Sequence, residues 1–360
     1  MSTSEAARTP RDADRQERFA AELTDVLNKG ALALLISVGH QCGLFDSLAA
    51  LPPSSSADIA EAAGLDERYV REWLGGMVVG GLVEYRPEEG TYDLPPEHAA
   101  SLTTAAGPDN LAGMMMYVGL MGEVEQRVVR CFREGGGVPY SAYPRFQALQ
   151  AEESARVYDL ALVDTIVPLA PGLPERLRAG IDVLDVGTGQ GHALLVLARA
   201  FPASRFLGID QSEAAVDTAR AEAARAGIGN VRYRVADSTQ ISGEFDLITA
   251  FDVIHDLARP AETLRATERA LRHKGMFLMG DIAASSRLEA NIGHPFGPAL
   301  YGFSVFYCMT TSLSTGGAGL GTVWGQETAV RMLNDAGFQD IDVKSVEGDP
   351  FNVYYVAAKA

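Results

Sequence analysis

The sequence predicts an α/β protein, a doubly wound parallel sheet that closes with an antiparallel hairpin, preceded by a mostly helical domain with the pattern of a winged helix. Three observations carry this. From Ile181 onward, short apolar strands alternate with amphipathic helices. Inside that region "VLDVGTGQGHALLVLARA" runs an apolar strand into three glycines and then a helix. Ahead of it, "SADIAEAAGLDERYVREWLGGMVVGGLVEY" (Ser56 to Tyr85) reads as helix, turn, helix and the first strand of a wing.

Residues 1–15 are polar and read as a disordered tail, with no apolar stretch for a signal peptide. Residues 16–100 form the expected helical, winged-helix-like domain. Phe19, Leu23, Val26 and Leu27 recur at helical spacing, "SSSAD" marks a helix start, and "GLVEYRPEEGTYDLPPEH" gives two short strands about a turn. Residues 101–175 form a helical connector, broken by "REGGGVPYSAYP", that is expected to contribute to the substrate pocket, and 176–360 form the sheet domain. Strands are expected at Ile181–Val186, Arg205–Asp210, Val231–Asp237, Phe245–Phe251 and Met276–Asp281. The tail "QDIDVKSVEGDPFNVYYVAAKA" is strand, turn, strand without a helix, which requires antiparallel pairing at the sheet's edge.

The glycine turn lets a ligand approach the backbone at a helix N-terminus. Asp210 ends the second strand and suits the two hydroxyls of a ribose, while Asp237 ends the third, where an acceptor can meet an exocyclic amine. The opposing reading is that both acids cap the helices that follow. The spacing Gly-x-Gly-x-Gly in "DVGTGQG" is neither the dinucleotide fingerprint nor a P-loop, since no lysine follows.

"VLDVGTGQG", "GID", "VAD", "FDLITAFDVIHD" and the terminal hairpin together resemble the class I S-adenosylmethionine-dependent methyltransferases. The resemblance covers residues 181–360. It implies a seven-stranded sheet whose last strand is antiparallel, with S-adenosylmethionine as cofactor. It also implies a cofactor site of Asp185, Gly187, Thr188, Gly189, Gly191, Asp210, Gln211, Asp237, Ser238, Phe251 and Asp252. More loosely, "LDERYVREWLGGMVVGGLVEY" and "GTYDLPPEHAASLT" resemble bacterial small-molecule and plant and polyketide O-methyltransferases. There the first domain dimerises and closes the partner's pocket, which implies a homodimer here.

Methyl transfer to a hydroxyl needs a proton acceptor near the methyl donor. His255 in "AFDVIHDLARP" lies just beyond a strand's carboxyl end and matches the family's base, so it is the expected catalytic residue. Asp256 is not expected to orient it, because neighbours in a loop rarely point together. Residues 284–324 are long for a connection and read as a lid insertion. His294, Phe296, Tyr301, Phe306, Tyr307 and Trp324 within it are the expected binding residues for a small, flat, aromatic or phenolic acceptor. No metal site is expected.

Charge weighs against the regulator that the winged helix suggests. The chain carries −17, and Ser54–Pro96 holds three Arg and no Lys against nine acids; DNA binding needs the reverse balance. The apolar stripe Val70, Trp73, Leu74, Met77 and Val78 serves either the small domain's core or an interface. The longest apolar stretch, Ala31–Val38, is too short to span a bilayer, and three scattered cysteines suit a reducing cytoplasm.

Overall fold

The computed structural model describes residues 10–143, 145–347 and 349–359. The chain divides after Gly122 into two compact units, so the stretch expected as a single connector, 101–175, is shared between them.

In the first unit, α1 (Pro10–Gln41) and α2 (Leu44–Ala50) precede α3 (Ser56–Ala63) and α4 (Glu67–Val79). Residues 10–15 are thus helical, correcting the expected tail there, and residues 1–9 lie outside the described residues. The α3 start is a capping box, with the Ser55 hydroxyl accepting from the Asp58 N–H at 3.3 Å and the Asp58 carboxylate accepting from the Ser55 N–H at 3.3 Å. Asp66 caps α4 by accepting from the Arg68 and Tyr69 N–H groups at 3.0 and 3.3 Å. The wing is the antiparallel pair β1 (Glu84–Arg86) and β2 (Thr91–Asp93), followed by α5 (Pro96–Leu102).

Trp73 belongs to this unit's core. It is buried, meets Phe45 edge-on, and donates its indole N–H to the Leu35 carbonyl at 2.8 Å. A Cβ at Gly39 would lie 2.4 Å from the Trp73 ring, so only glycine lets α1 and α4 approach this closely. The outer part of α1 has no such cover. Phe19, Leu23, Val26 and Leu27 are all exposed, Leu27 at 72%.

The helix α6 (Met116–Glu134) crosses the division, and α7 (Phe146–Ala161) and α8 (Leu173–Ala179) follow in the second unit. Its strands are β3 (Asp182–Val186), β4 (Arg205–Asp210), β5 (Val231–Val235), β6 (Phe245–Phe251), β7 (Leu271–Ile282), β8 (Gln339–Lys344) and β9 (Asn352–Ala358). Between them run α9 (His192–Ala200), α10 (Glu213–Arg225), α11 (Pro260–Ala270), α12 (Gly297–Phe303), α13 (Met309–Ser314) and α14 (Gln326–Ala336).

The seven strands lie in the order β5-β4-β3-β6-β7-β9-β8, with β3 to β7 parallel and β9 antiparallel to both β7 and β8. The expected hairpin is present, with the last strand inside and β8 at the edge. Composition explains the exchange: "NVYYVAA" is apolar on both faces and is buried along its middle, whereas "QDIDVK" is exposed or half-buried throughout. Strand order reverses between β3 and β6, so their carboxyl ends splay and leave a crevice.

Segment 284–324 is largely ordered helix. The helix α12 continues through a π-turn at Ser304–Cys308 into α13, and Tyr307, Cys308 and Thr310 are buried. No single helix among the described residues is long and apolar enough to cross a membrane.

Candidate active site

At the β3–β4 carboxyl ends, local backbone chemistry shapes the glycine turn. Gly187 and Thr188 donate to the Ile209 carbonyl at 2.8 and 3.0 Å, which ties the turn to the next strand. Gly187, Gly189 and Gly191 all adopt positive φ (70°, 52° and 80°). A Cβ on Gly187 would lie 2.2 Å from Val253, and one on Gly191 would lie 2.5 Å from Tyr233. At Gly189 nothing lies within 4 Å, so this glycine faces open space.

That space is a cleft of about 530 Å³, and all eleven residues expected to hold a cofactor line it, from Asp185 to Asp252. Asp185 is buried and accepts from the Thr249 hydroxyl at 2.6 Å, and burial pushes its pKa up to about 6. Asp210 accepts from the Gly189 N–H at 2.9 Å and the Ser212 N–H at 2.8 Å. Burial raises its pKa, and these N–H groups oppose the rise. Asp237 accepts from Thr239, N–H and hydroxyl, at 2.9 and 2.8 Å and pairs with Arg259 at 2.6 Å. The Thr239 N–H is the main cause of its lowered pKa. Asp237 therefore caps the short turn that follows it, whereas α10 is capped by Ser212 and not by Asp210, and both acids face the cleft. The Ser238 hydroxyl meets that of Thr263 at 2.9 Å. The Phe251 ring centre lies 5.4 Å from that of Tyr158, and Gln211 lies on the wall.

Asp252 is unusual twice over. Its φ is +52°, a strained conformation for a non-glycine residue, and its Oδ1 is buried without a hydrogen-bond partner. Burial, reinforced by the charge of Asp281, pushes its pKa up to about 7, with His255 opposing.

His255 sits on the short turn Ile254–Asp256 beyond β6, 3% exposed and behind the cleft wall rather than on it. Its Nδ1 lies 2.8 Å from Asp281 Oδ1, and that oxygen also accepts from the Trp324 indole N–H at 2.9 Å and the Ile282 N–H at 2.8 Å. Its Nε2 lies 3.3 Å from Asp256 Oδ1, so the two neighbours do point together, contrary to expectation. The turn is tight enough to fold one carboxylate back over the preceding ring. Burial works against the charged imidazole, but Asp281 and then Asp256 outweigh it and raise the His255 pKa well above its ordinary value. Asp256 does line the cleft.

The expected acceptor residues fall elsewhere. Tyr307 is buried, stacked on Phe146 with ring centres 3.5 Å apart and edge-on to Tyr143. The Phe306 carbonyl accepts from the Tyr143 hydroxyl at 2.5 Å. Phe296 packs on Phe351, His294 Nδ1 accepts from the Phe296 N–H at 3.1 Å, and Tyr301 is exposed. Trp324 is buried against Asp281. None of the six lines the cleft. The cleft is lined besides by Tyr140 and Ser141, by Gln150, Ser154 and Tyr158 of α7, and by Thr311 and Ser312 of α13. Sequence reasoning expected the 101–175 stretch at the pocket but singled out none of these residues, and it missed Asp281. A signal for Asp281 existed, since like Asp210 it is a lone acid at the end of an apolar strand.

Residues 30–104 match the family model of an Rv2258c-like winged HTH domain, and residues 177–316 match that of a methyltransferase domain. The chain carries a methyltransferase domain behind a winged HTH domain. The chain is similar to Nocamycin O-methyltransferase of Saccharothrix syringae, at 38% identity over 102 residues, 27% of this chain and 36% of that protein. Alignments with the first curated relatives span between 36% and 64% of their length. Whole-chain likeness is structural. An O-methyltransferase family protein from Burkholderia thailandensis superposes with a TM-score of 0.69 at 15% identity, over 95% of this chain and 98% of that one. Human N-acetylserotonin methyltransferase, solved in complex with SAM, gives 0.67 at 18% identity over 100% of both. At such identities the likeness is one of fold. In this sheet the crevice between β3 and β6 is where an open α/β fold binds its ligand.

Proposed function

We propose that the protein transfers the methyl group of S-adenosylmethionine to an oxygen of a small aromatic or phenolic acceptor. The observation that carries this is the gathering of the glycine turn, Asp185, Asp210, Asp237 and Asp252 around one cleft at the strands' carboxyl ends. The residues fit the cofactor. Gly189 leaves room for close approach, and the orphaned Asp252 Oδ1 and the buried Asp185 offer negative charge to a cation. When bound, the cofactor supplies an electrophilic methyl already activated by its sulfonium charge.

The chain's own residues exclude water, align the acceptor and hold its proton. Asp281, His255 and Asp256 act as one unit. With the imidazole protonated the three groups carry one net negative charge, and Asp256 is the outlet of that charge at the cleft. The acceptor's proton passes to Asp256, and the imidazolium behind it steadies the charge. The hydroxyls of Tyr140, Ser141, Thr311 and Ser312, which line the same cleft, orient the acceptor. The enzyme works as a cytoplasmic homodimer through the exposed apolar face of α1, a face a second copy would cover. The acidic wing region takes no nucleic acid.

Calorimetric titration with S-adenosylhomocysteine, beside Asp210→Ala, tests the reading without knowledge of the acceptor. Micromolar binding that the variant loses supports it. Absence of binding by folded wild-type protein overturns it.

A further inference from the structure

We propose that His255, Asp256 and Cys308 form a site for a thiophilic divalent cation, with zinc the best match. One ligand atom from each lies within 4.8 Å of the others. The ring nitrogen on offer is Nε2, because Nδ1 is held by Asp281 at 2.8 Å. The separation of 3.3 Å between Nε2 and Asp256 Oδ1 is the edge of a tetrahedron whose metal bonds are about 2.0–2.1 Å. An imidazole, a carboxylate and a thiol are a donor set that suits zinc and does not suit magnesium or calcium.

Three further observations point to a ligand. Asp256 Oδ1 is buried and makes no hydrogen bond beside its ion pair with His255 Nε2 at 3.3 Å. The ring is anchored from behind by a carboxylate that itself takes N–H groups from Trp324 and Ile282, the support that metal-bound histidines commonly have. Cys308 closes a π-turn, Ser304–Cys308, and the extra residue in such a turn often marks a site. Asp256 also lines the cleft, which gives a cation its way in. Spacing could not show this set, because two ligands come from the turn beyond β6 and the third from a distant helix.

Binding would displace the Cys308 thiol proton and any proton on His255 Nε2, both to solvent. It would also occupy Asp256, so zinc inhibits the methyl transfer proposed above. The site itself does not depend on that activity.

Titration with cobalt(II), read by absorption, tests it. One equivalent should give tetrahedral cobalt bands with thiolate-to-metal charge transfer, displaced by zinc. Cys308→Ser should abolish the charge transfer, and Asp256→Asn should weaken cobalt binding at least about tenfold. Circular dichroism and thermal unfolding of each variant check that it is folded. On wild-type protein, zinc-edge X-ray absorption should find one sulfur at about 2.3 Å among nitrogen and oxygen neighbours. Coordination without sulfur, or a charge-transfer band that survives in Cys308→Ser, overturns the site.

Discussion

The glycine turn after β3 and the segment 284–324 both drew attention in the sequence, and the structure treats them differently. All eleven residues expected to hold the cofactor at the turn and its neighbouring strand ends reach the cleft, although His255 lies behind its wall, and none of the six singled out in the long segment does. A turn with three positive-φ positions and two close approaches is written locally, in glycines, because a side chain there meets left-handed strain and, at Gly187 and Gly191, a steric clash. An aromatic side chain carries no such mark. Tyr307 would look the same in the sequence whether it covered a ligand or, as here, stacked on Phe146 inside the core.

The largest expected effect comes from His255→Ala. Loss of the unit that holds the acceptor's proton should lower kcat by about 10²–10⁴ with cofactor binding kept; near-normal turnover on a phenolic acceptor would end the assignment. Next come the glycines, which differ among themselves. Gly191→Ala places a Cβ within 2.5 Å of Tyr233 at φ 80°, and should cost about 2–3 kcal/mol in denaturant unfolding. Gly189→Ala meets nothing, so it should cost only the left-handed strain of about 1–2 kcal/mol yet weaken S-adenosylhomocysteine binding the more. Equal losses of both kinds would show that the turn is merely a turn. Trp324→Phe removes an N–H from the Asp281 carboxylate, for about 1.5–3 kcal/mol. It should lower kcat more than it raises KM, because Asp281 acts through His255.

How much was legible follows from the same contrast. The parallel strands appeared almost at their observed bounds, since apolar runs between glycines and helix starts are local signals. The placing of β9 inside β8 was not read, although its two-sided apolarity held the information. The partnership of His255 with Asp281, from strands neighbouring in the sheet and 26 residues apart, needed the fold. So did the wall from α7 and α13, whose residues are ordinary serines, threonines and a tyrosine until the chain brings them to the cleft.

Titration sharpens the contrast from the electrostatic side. Asp185 and Asp252 have pKa values near 6 and 7, raised by burial. Each holds its proton in the native state at pH values where the unfolded chain, at about 3.9, has lost it. The free protein's stability should therefore fall as pH rises from 5 to 8. A cationic ligand prefers the ionised carboxylates, so S-adenosylmethionine affinity should rise over the same range, by about tenfold per unit of pKa shift it reverses. S-adenosylhomocysteine, which lacks the sulfonium charge, should respond less. Calorimetry with both ligands at pH 5.5 and 8 decides it, and identical pH profiles would mean that the two acids do not sense the sulfonium.

The smallest expected effect is the most direct challenge to the placement of the long segment. Tyr301 is exposed and its hydroxyl meets only a weak donor, Asn291 Nδ2 at 3.4 Å. Tyr301→Ala should change stability by less than about 0.5 kcal/mol and leave the acceptor KM unaltered. Thr311→Val, on the cleft wall and nearly the same size, should raise that KM, because a polar acceptor group would lose a partner where water cannot replace it. The reverse pattern, with KM following Tyr301 and indifferent to Thr311, would mean that the segment swings over the cleft during turnover. The aromatic residues read from the sequence would then be acceptor contacts of that closed state.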